Sequence, residues 1–239
     1  MDETAGLESV SVLVLAGGQG KRLRPVLGEQ AKVLAQVGGK PFLSHLLSRL
    51  RSQGIRQVIL ALGCFHQEVL DYLKEHSPEG LQIVPVIEDG PLGTAGAILN
   101  ASSVLTTDPV FILNGDTYAE VPLESLLNFH RERFAAVTLA AAYKKAAQRY
   151  GSIEIGKDGR VLGFIEKGKG ESGYVNAGVY VVSRQVLQMI PADRVVSWER
   201  EVLPALVGEG LFACCGSFRF IDIGTPASYR RAAQFLERQ

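Results

Sequence analysis

From Val10 to Leu15 the chain is an unbroken β-branched and aliphatic run that stops at Gly17-Gly18, the mark of a strand buried on both faces. A glycine-rich loop follows. After Pro41 the apolar residues Phe42, Leu43, Leu46, Leu47 and Leu50 recur at helical spacing and end before Gly54, which predicts an amphipathic helix closed by glycine. Val58 to Leu62 reads as a second strand. The alternation continues with a helix around Glu68 to Lys74, a strand at Gln82 to Ile87, a helix from about Ala95 to Val104 and a strand at Val110 to Leu113. Such alternation predicts right-handed βαβ units, and therefore a parallel sheet with helices on both faces.

Beyond a helix near Leu123 to Arg133 the rhythm changes to closely spaced strands at Val137 to Ala142, Ser152 to Ile155, Val161 to Glu166 and Val175 to Val182. Lys157-Asp158-Gly159-Arg160 is a hairpin signal. A helix near Trp198 to Val207 and strands around Leu211 to Cys215 and Phe218 to Ile221 come next. In the final helix Thr225 supplies the N-cap and Pro226 the first turn, with Tyr229, Ala233 and Leu236 on one face. No repeat or linker interrupts the chain. The fold class expected is α/β, a Rossmann-like, doubly wound, mixed and mainly parallel sheet in one domain over 1–239, with a change of character near residue 135.

Lys plus Arg and Asp plus Glu are each 25, so no global field attracts nucleic acid or an anionic membrane, and any polyanion must meet a local cluster. Cys64, Cys214 and Cys215 form an odd set without CxxC or Cys/His ligand spacing, which argues against a disulfide frame or a zinc site. Met1 to Ser9 is acidic and polar, unlike a signal peptide, and no apolar run reaches the roughly 18 residues of a membrane span. The expectation is a soluble, cytoplasmic protein.

In a doubly wound sheet ligands gather beyond the carboxyl ends of the strands. Four features share that address: Gly17-Gly18-Gln19-Gly20-Lys21-Arg22 after the first strand, Glu88 after the third, Asn114-Gly115-Asp116 after the fourth, and Asp222 after a late strand. The loop lets backbone N–H groups approach a polyphosphate, and Lys21, Arg22, Arg24 and Lys32 add positive charge. It is neither the dinucleotide fingerprint nor a Walker A loop, since the third glycine and the Gly-Lys-Ser/Thr run are both missing. Asp222, set among apolar residues, costs desolvation unless a cation or hydrogen bonds meet it. Together Asp116 and Asp222 suit Mg2+, a hard ion that takes a few carboxylate oxygens plus substrate phosphate. His45, His66, His76 and His130 are assigned no role, and Trp198 reads as a core or pocket-wall aromatic.

The segment Leu15-Ala16-Gly17-Gly18-Gln19-Gly20-Lys21-Arg22-Leu23-Arg24-Pro25, with Lys32 and Gly39-Lys40-Pro41 downstream, resembles the opening signature of sugar-1-phosphate nucleotidylyltransferases. Pro91-Leu92-Gly93-Thr94-Ala95-Gly96-Ala97, Asn114-Gly115-Asp116, Tyr150-Gly151, Phe164-Ile165-Glu166-Lys167, Asn176-Ala177-Gly178-Val179-Tyr180 and Phe220-Ile221-Asp222-Ile223-Gly224-Thr225-Pro226 are similar to that family's later blocks, in its order. The likeness spans essentially the whole chain. It departs at Lys21, where the family usually has Thr, and at Ala31, where Pro usually precedes the lysine.

The resemblance implies a GT-A-like nucleotidyltransferase fold with a nucleotide-binding half at about 1–135 and a sugar-phosphate-binding half at about 136–239. It implies Mg2+ as cofactor and a nucleoside triphosphate and a sugar 1-phosphate as partners, without nucleic acid or membrane. By position, Leu15, Ala16, Gly17, Gly18, Gly20, Lys21, Glu88, Gly93 and Thr94 would bind the nucleotide. Arg22 and Lys32 would stabilise charge on the α-phosphate and leaving pyrophosphate, catalytic Asp116 would share the metal with Asp222, and Gly151, Glu166, Lys167, Asn176 and Gly178 would meet the sugar phosphate. No fused acetyltransferase activity is expected, and a homo-oligomer is compatible with this reading.

Glu88 bears on the base. In thymidylyl- and uridylyltransferases of this family a Gln stands at the corresponding position. A carboxylate only accepts hydrogen bonds, and guanine offers two adjacent donors that match its two oxygens. Uracil and thymine would set carbonyl oxygens against it, at about 1–3 kcal/mol for each unsatisfied buried group. GTP is therefore the expected donor, with UTP or dTTP as the alternative. The chain looks most like heptose 1-phosphate guanylyltransferases, with mannose-1-phosphate guanylyltransferases next. A catalytically silent sensor of nucleotide sugars is the alternative of another class.

Overall fold

A computed structural model describes residues 6–145, 151–165 and 172–237. Thirteen strands are assigned among them: β1 (Val12–Leu15), β2 (Gln36–Val37), β3 (Lys40–Pro41), β4 (Gln57–Leu62), β5 (Gln82–Ile87), β6 (Val110–Asn114), β7 (Thr117–Ala119), β8 (Val137–Lys144), β9 (Ser152–Ile155), β10 (Val161–Ile165), β11 (Gly173–Val182), β12 (Leu211–Gly216) and β13 (Phe220–Asp222). Seven form one sheet in the order β12-β8-β11-β6-β1-β4-β5. Strands β6, β1, β4 and β5 are mutually parallel, as the strand–helix alternation predicts. The sheet becomes mixed because β11 enters antiparallel to both β6 and β8, while β12 closes the far edge parallel to β8. The class is the α/β arrangement expected.

Each central strand divides its side chains between two cores, as a period of two requires. Val12 and Val14 of β1, Val58, Leu60 and Leu62 of β4, and Phe111 and Leu113 of β6 join one cluster with Leu43, Leu46, Leu47 and Leu50 of the helix Phe42–Ser52. Leu13, Ile59, Ala61 and Ile112 point the other way, onto Ala95, Ala97 and Ile98 of the helix Gly93–Asn100 and onto Trp198 and Leu203. Both faces are thus covered, which is why the strands read as continuous apolar runs. Pro85, which cannot donate to a ladder, sits in the edge strand β5. Among the described residues no helix is long and apolar enough to cross a membrane.

The expected hairpin at Lys157 to Arg160 joins antiparallel β9 and β10, with Gly159 at φ +87°. The last helix, Pro226–Leu236, starts with a reciprocal capping box: Thr225 Oγ1 accepts from Ser228 N, and Ser228 Oγ accepts from Thr225 N. Elsewhere the structure departs from expectation. The strand placed at Phe218 to Ile221 lies at Phe220–Asp222, because its register is set by pairing with β7, a three-residue strand too short to show in the pattern. The helix expected near Trp198 to Val207 is a π-helical turn, Trp198–Val202, followed by the short helix Leu203–Ala205. There Ser197 accepts from Arg200 N, and Pro204 fits a first turn where its missing N–H costs nothing.

Candidate active site

The carboxyl ends of β1, β4 and β6 meet in a floor made of glycine because nothing larger fits. A Cβ on Gly17 would stand 2.6 Å from Glu88 Oε1, one on Gly63 would stand 2.4 Å from Gly17 O, and one on Gly115 would stand 2.6 Å from Leu15 O. Backbone bonds lock these ends together: Ala16 N donates to Ala61 O at 2.9 Å, Gly115 N to Leu15 O at 3.0 Å and Glu88 N to Leu62 O at 2.9 Å. Above the floor opens a cavity of about 870 Å³, into which the loop Gly17 to Arg22 turns through Gly20 at φ +60°. A second cavity of about 190 Å³ adjoins it and shares four lining residues with it: Arg22, Asn114, Asp116 and Gly224.

Charge collects at that junction. Lys32 Nζ donates to Asp116 Oδ2 at 2.5 Å, across 84 residues of sequence. Burial alone pushes the Asp116 carboxyl upward, but the Lys32 ammonium, the Thr117 hydroxyl and the Arg22 guanidinium outweigh it and hold the group below the usual carboxylate range. Asp222 arrives from the other side through the pairing of β13 with β7, which sets Asp222 opposite Thr117 and lets Ile223 N donate to Asp116 O at 2.8 Å. Asp222 Oδ1 accepts from Gly224 N at 2.8 Å and from Ser228 Oγ at 3.1 Å. A Cβ on Gly224 would lie 2.8 Å from Asp222 Oδ1, 3.5 Å from Arg22 Nη2 and 3.7 Å from Lys32 Nζ, so these groups surround one point. No cluster of three or more His, Cys, Asp or Glu side chains suited to a metal occurs among the described residues.

Glu88 forms the opposite wall of the large cavity. Burial raises its carboxyl above the usual glutamate range, against the pull of the Leu92 N–H that donates to it. Beside it the segment after β5 is zipped to the chain at 195–199. Val196 N donates to Leu92 O at 3.1 Å and Ala95 N to Val196 O at 3.0 Å, while a Cβ on Gly93 would stand 2.4 Å from Val196 O. Gly93, at φ +77°, is therefore a packing glycine, and the Thr94 hydroxyl is taken up by the same segment. It accepts from Trp198 N at 2.7 Å and donates to Glu199 Oε2 at 2.9 Å.

Leu15, Ala16, Gly17, Gly18, Gly20, Lys21, Arg22, Lys32, Glu88, Gly93, Thr94 and Asp116 all line the large cavity. Asn176, Gly178 and Asp222 line the small one, where Gly178 (φ +71°) donates its N–H to Asn176 Oδ1 at 2.9 Å. Gly151, at φ +79° just before β9, is not among the described residues lining either cavity. Glu166 and Lys167 lie outside the described residues. Gly63 and Glu199, which the sequence did not mark, also line the site, as do Asn114 and Gly224, which it marked only as members of their motifs without a role. Gly63 follows β4 directly, so the rule about strand ends points to it, whereas Glu199 reaches the cavity only through contacts more than 80 residues away. Of the histidines, His130 is buried between Thr138 Oγ1 and Ser183 Oγ, and Trp198 is fully buried edge-on to Tyr180.

The chain is similar to several known proteins. The D-glycero-alpha-D-manno-heptose 1-phosphate guanylyltransferase of Aneurinibacillus thermoaerophilus is 36% identical over 229 residues, which are 95% of this chain and 99% of the relative. The mannose-1-phosphate guanylyltransferase of Mycobacterium tuberculosis is 37% identical over 233 residues, 96% of this chain, and the chain spans 65% of that relative's length. The crystal structure of HddC from Yersinia pseudotuberculosis, complexed with GMP-PN, superposes with a TM-score of 0.86 at 32% identity, covering 95% of this chain and 99% of that one. The model of the nucleotidyl transferase family matches residues 11–239, and this chain belongs to that family.

Proposed function

We propose that this chain transfers GMP from GTP to the 1-phosphate of a manno-configured sugar, a heptose or mannose, releasing pyrophosphate and a GDP-sugar. The observation that bears most weight is the convergence of Arg22, Lys32 and Asp222 around Gly224, with Asp116 bonded to Lys32, where the two cavities join. In this reading the large cavity takes the nucleotide and the acceptor's phosphate enters from the side of the small one. The guanylyltransferase names of the relatives and the GMP-PN bound to HddC support GTP as donor. So does Glu88, an acceptor-only group on the cavity wall matched to the two donors of guanine.

The attacking phosphate oxygen is already ionised at neutral pH, so no covalent enzyme intermediate and no general base is needed. What the chain supplies is position and charge. Backbone N–H groups of the loop from Gly17 to Lys21 cradle the triphosphate, with Lys21 adding a cation beside it. Arg22 and Lys32 neutralise the charge that grows on the α-phosphate and the departing pyrophosphate. Lys32 rests on Asp116, so the ammonium is held in place before substrate arrives. Asn176, Gly178 and Gly151, with Glu166 and Lys167, are assigned to the acceptor.

Asp116 and Asp222 would hold Mg2+. The fit is chemical: two hard carboxylates, carried side by side by the β7–β13 pairing, line one cavity, and substrate phosphates would complete the set. When bound, the ion screens the phosphates from one another and orients their oxygens. The test of the whole reading is a matrix of GTP, ATP, UTP and dTTP against mannose, heptose and glucose 1-phosphates, read by product mass. GDP-mannose or GDP-heptose is expected as the dominant product; preference for UTP or dTTP would overturn the assignment of Glu88.

A further inference from the structure

Two glutamates line the large cavity, and the transfer described above uses only Glu88. The other, Glu199, stands on the π-helical turn Trp198–Val202 and is aimed from two sides. Its Oε2 accepts from Thr94 Oγ1 at 2.9 Å, and its Oε1 lies 3.4 Å from Asn114 Nδ2. Thr94 is itself fixed by Trp198 N, so the carboxylate, the threonine and the turn form a closed ring of contacts. Among the described residues Glu199 makes no ion pair.

An acid without a counter-cation in a cleft that receives phosphates repels its own ligands unless it faces hydrogen-bond donors instead. An ionised carboxylate has about four acceptor positions, and Thr94 and Asn114 take two. Glu199 lines the cavity, and a sugar hydroxyl there is a donor that can meet the remaining ones.

Strand order indicates which sugar. Glu88 follows β5, the phosphate loop follows β1, and Asn114 ends β6, with β11 beyond it. From β5 to β6 is three strand spacings, roughly 14 Å, and ribose must lie between the base and the α-phosphate, over β4 and β1. Glu199 reaches from Thr94, six residues after Glu88, to Asn114, on the far side of the phosphate loop, so its Oε1 faces that far side. From Asn114 the contacts lead on towards the small cavity: Gly178 packs against Asn114, and Asn176 Nδ2 donates to Tyr180 Oη at 2.7 Å.

We propose that Glu199 accepts a hydrogen bond from a ring hydroxyl of the acceptor sugar, and so selects among sugar 1-phosphates. This rests on the proposed transfer reaction. Thr94 is a positioning residue that acts through Glu199.

The test uses wild-type enzyme, Glu199→Gln, Glu199→Ala and Thr94→Val with mannose 1-phosphate and its 2-, 3-, 4- and 6-deoxy analogues, at saturating GTP. Melting temperatures serve as the control for folding. In wild type one deoxy analogue should lose at least about tenfold in kcat/KM relative to its parent, and in Glu199→Ala that ratio should collapse towards one. Glu199→Gln should raise the acceptor KM with little change in kcat and none in the KM for GTP, and Thr94→Val should move the acceptor KM the same way by less. The inference is overturned if the deoxy ratios are the same in Glu199→Ala as in wild type, or if the KM for GTP moves in place of the acceptor's, which would make Glu199 a reader of ribose. Should wild type bind GTP yet turn over no sugar 1-phosphate, the transfer reading itself is wrong and this one goes with it.

Discussion

Gly224→Ala perturbs the centre of the site by a single methyl group. The backbone at Gly224 lies outside the left-handed region, so alanine can adopt it without conformational strain. The new Cβ, however, would be 2.8 Å from Asp222 Oδ1, closer than side-chain contacts of this kind settle, so something must shift. Arg22 and Lys32, at 3.5 and 3.7 Å, would be at ordinary contact distance and need not move. Asp222 has no room to adjust, because the same oxygen is held by Gly224 N and Ser228 Oγ. Displacing it loosens a hydrogen bond to a charged acceptor, worth about 1.5–3 kcal/mol. If the displaced carboxylate costs the transition state as much as that bond is worth, kcat/KM falls by about 10- to 150-fold. Pyrophosphate release, followed as Mg2+ is titrated at fixed GTP and mannose 1-phosphate, should show the fall together with a weaker apparent affinity for Mg2+. Because the same bonds exist without substrate, the melting temperature should drop as well, by roughly 3–12 °C for about 1.5–3 kcal/mol in a chain of this size. Unchanged turnover with an unchanged Mg2+ curve would show that Asp222 takes no part in the reaction.

Asp116→Asn and Asp222→Asn should each lower Mg2+-dependent turnover by at least about tenfold, since each removes a charged ligand; near-normal turnover in both would remove the metal assignment. Glu88→Gln should lower kcat/KM for GTP by about 10- to 100-fold and narrow the gap to UTP, because one guanine donor then faces an amide N–H; a competition assay with both nucleotides reads it. Burial raises the Glu88 carboxyl above its usual 4.5, so the KM for GTP should climb as pH falls through that raised value, and a KM still flat at pH 4.5 would argue against an ionised Glu88 at the base. His130 is buried and its pKa is lowered to about 4 from 6.5, burial being the main cause. Between those values the unfolded chain binds the proton and the folded one does not, so stability is full above pH 6.5 and is lost as pH falls. The loss from pH 7 to pH 5 is about 2 kcal/mol by urea unfolding, and His130→Gln should lack that slope.

Much of this protein can be read from residue order. The β-branched runs at Val10 to Leu15 and Val58 to Leu62 specify strands buried on both faces, because only strands sandwiched between helices need no polar side. The spacing of Leu43, Leu46, Leu47 and Leu50 specifies a helix covering one of those faces, and the glycines at the strand ends mark where backbone must approach backbone or phosphate. These are local facts, carried by periodicity and by the absence of a side chain. The sheet's reversal at β11, the pairing of three-residue β7 with β13 and the seating of the turn at Trp198 are not local. Lys32 meets Asp116 across 84 residues and Glu199 meets Thr94 across 105, and no pattern within either segment encodes the other. Strand order and register place them, and those are settled by how two cores pack on opposite faces of one sheet. The residue types of the site and their shared address at the strand ends were therefore legible in the sequence, while the closing of Arg22, Lys32 and Asp222 on one point at Gly224 belongs to the tertiary structure.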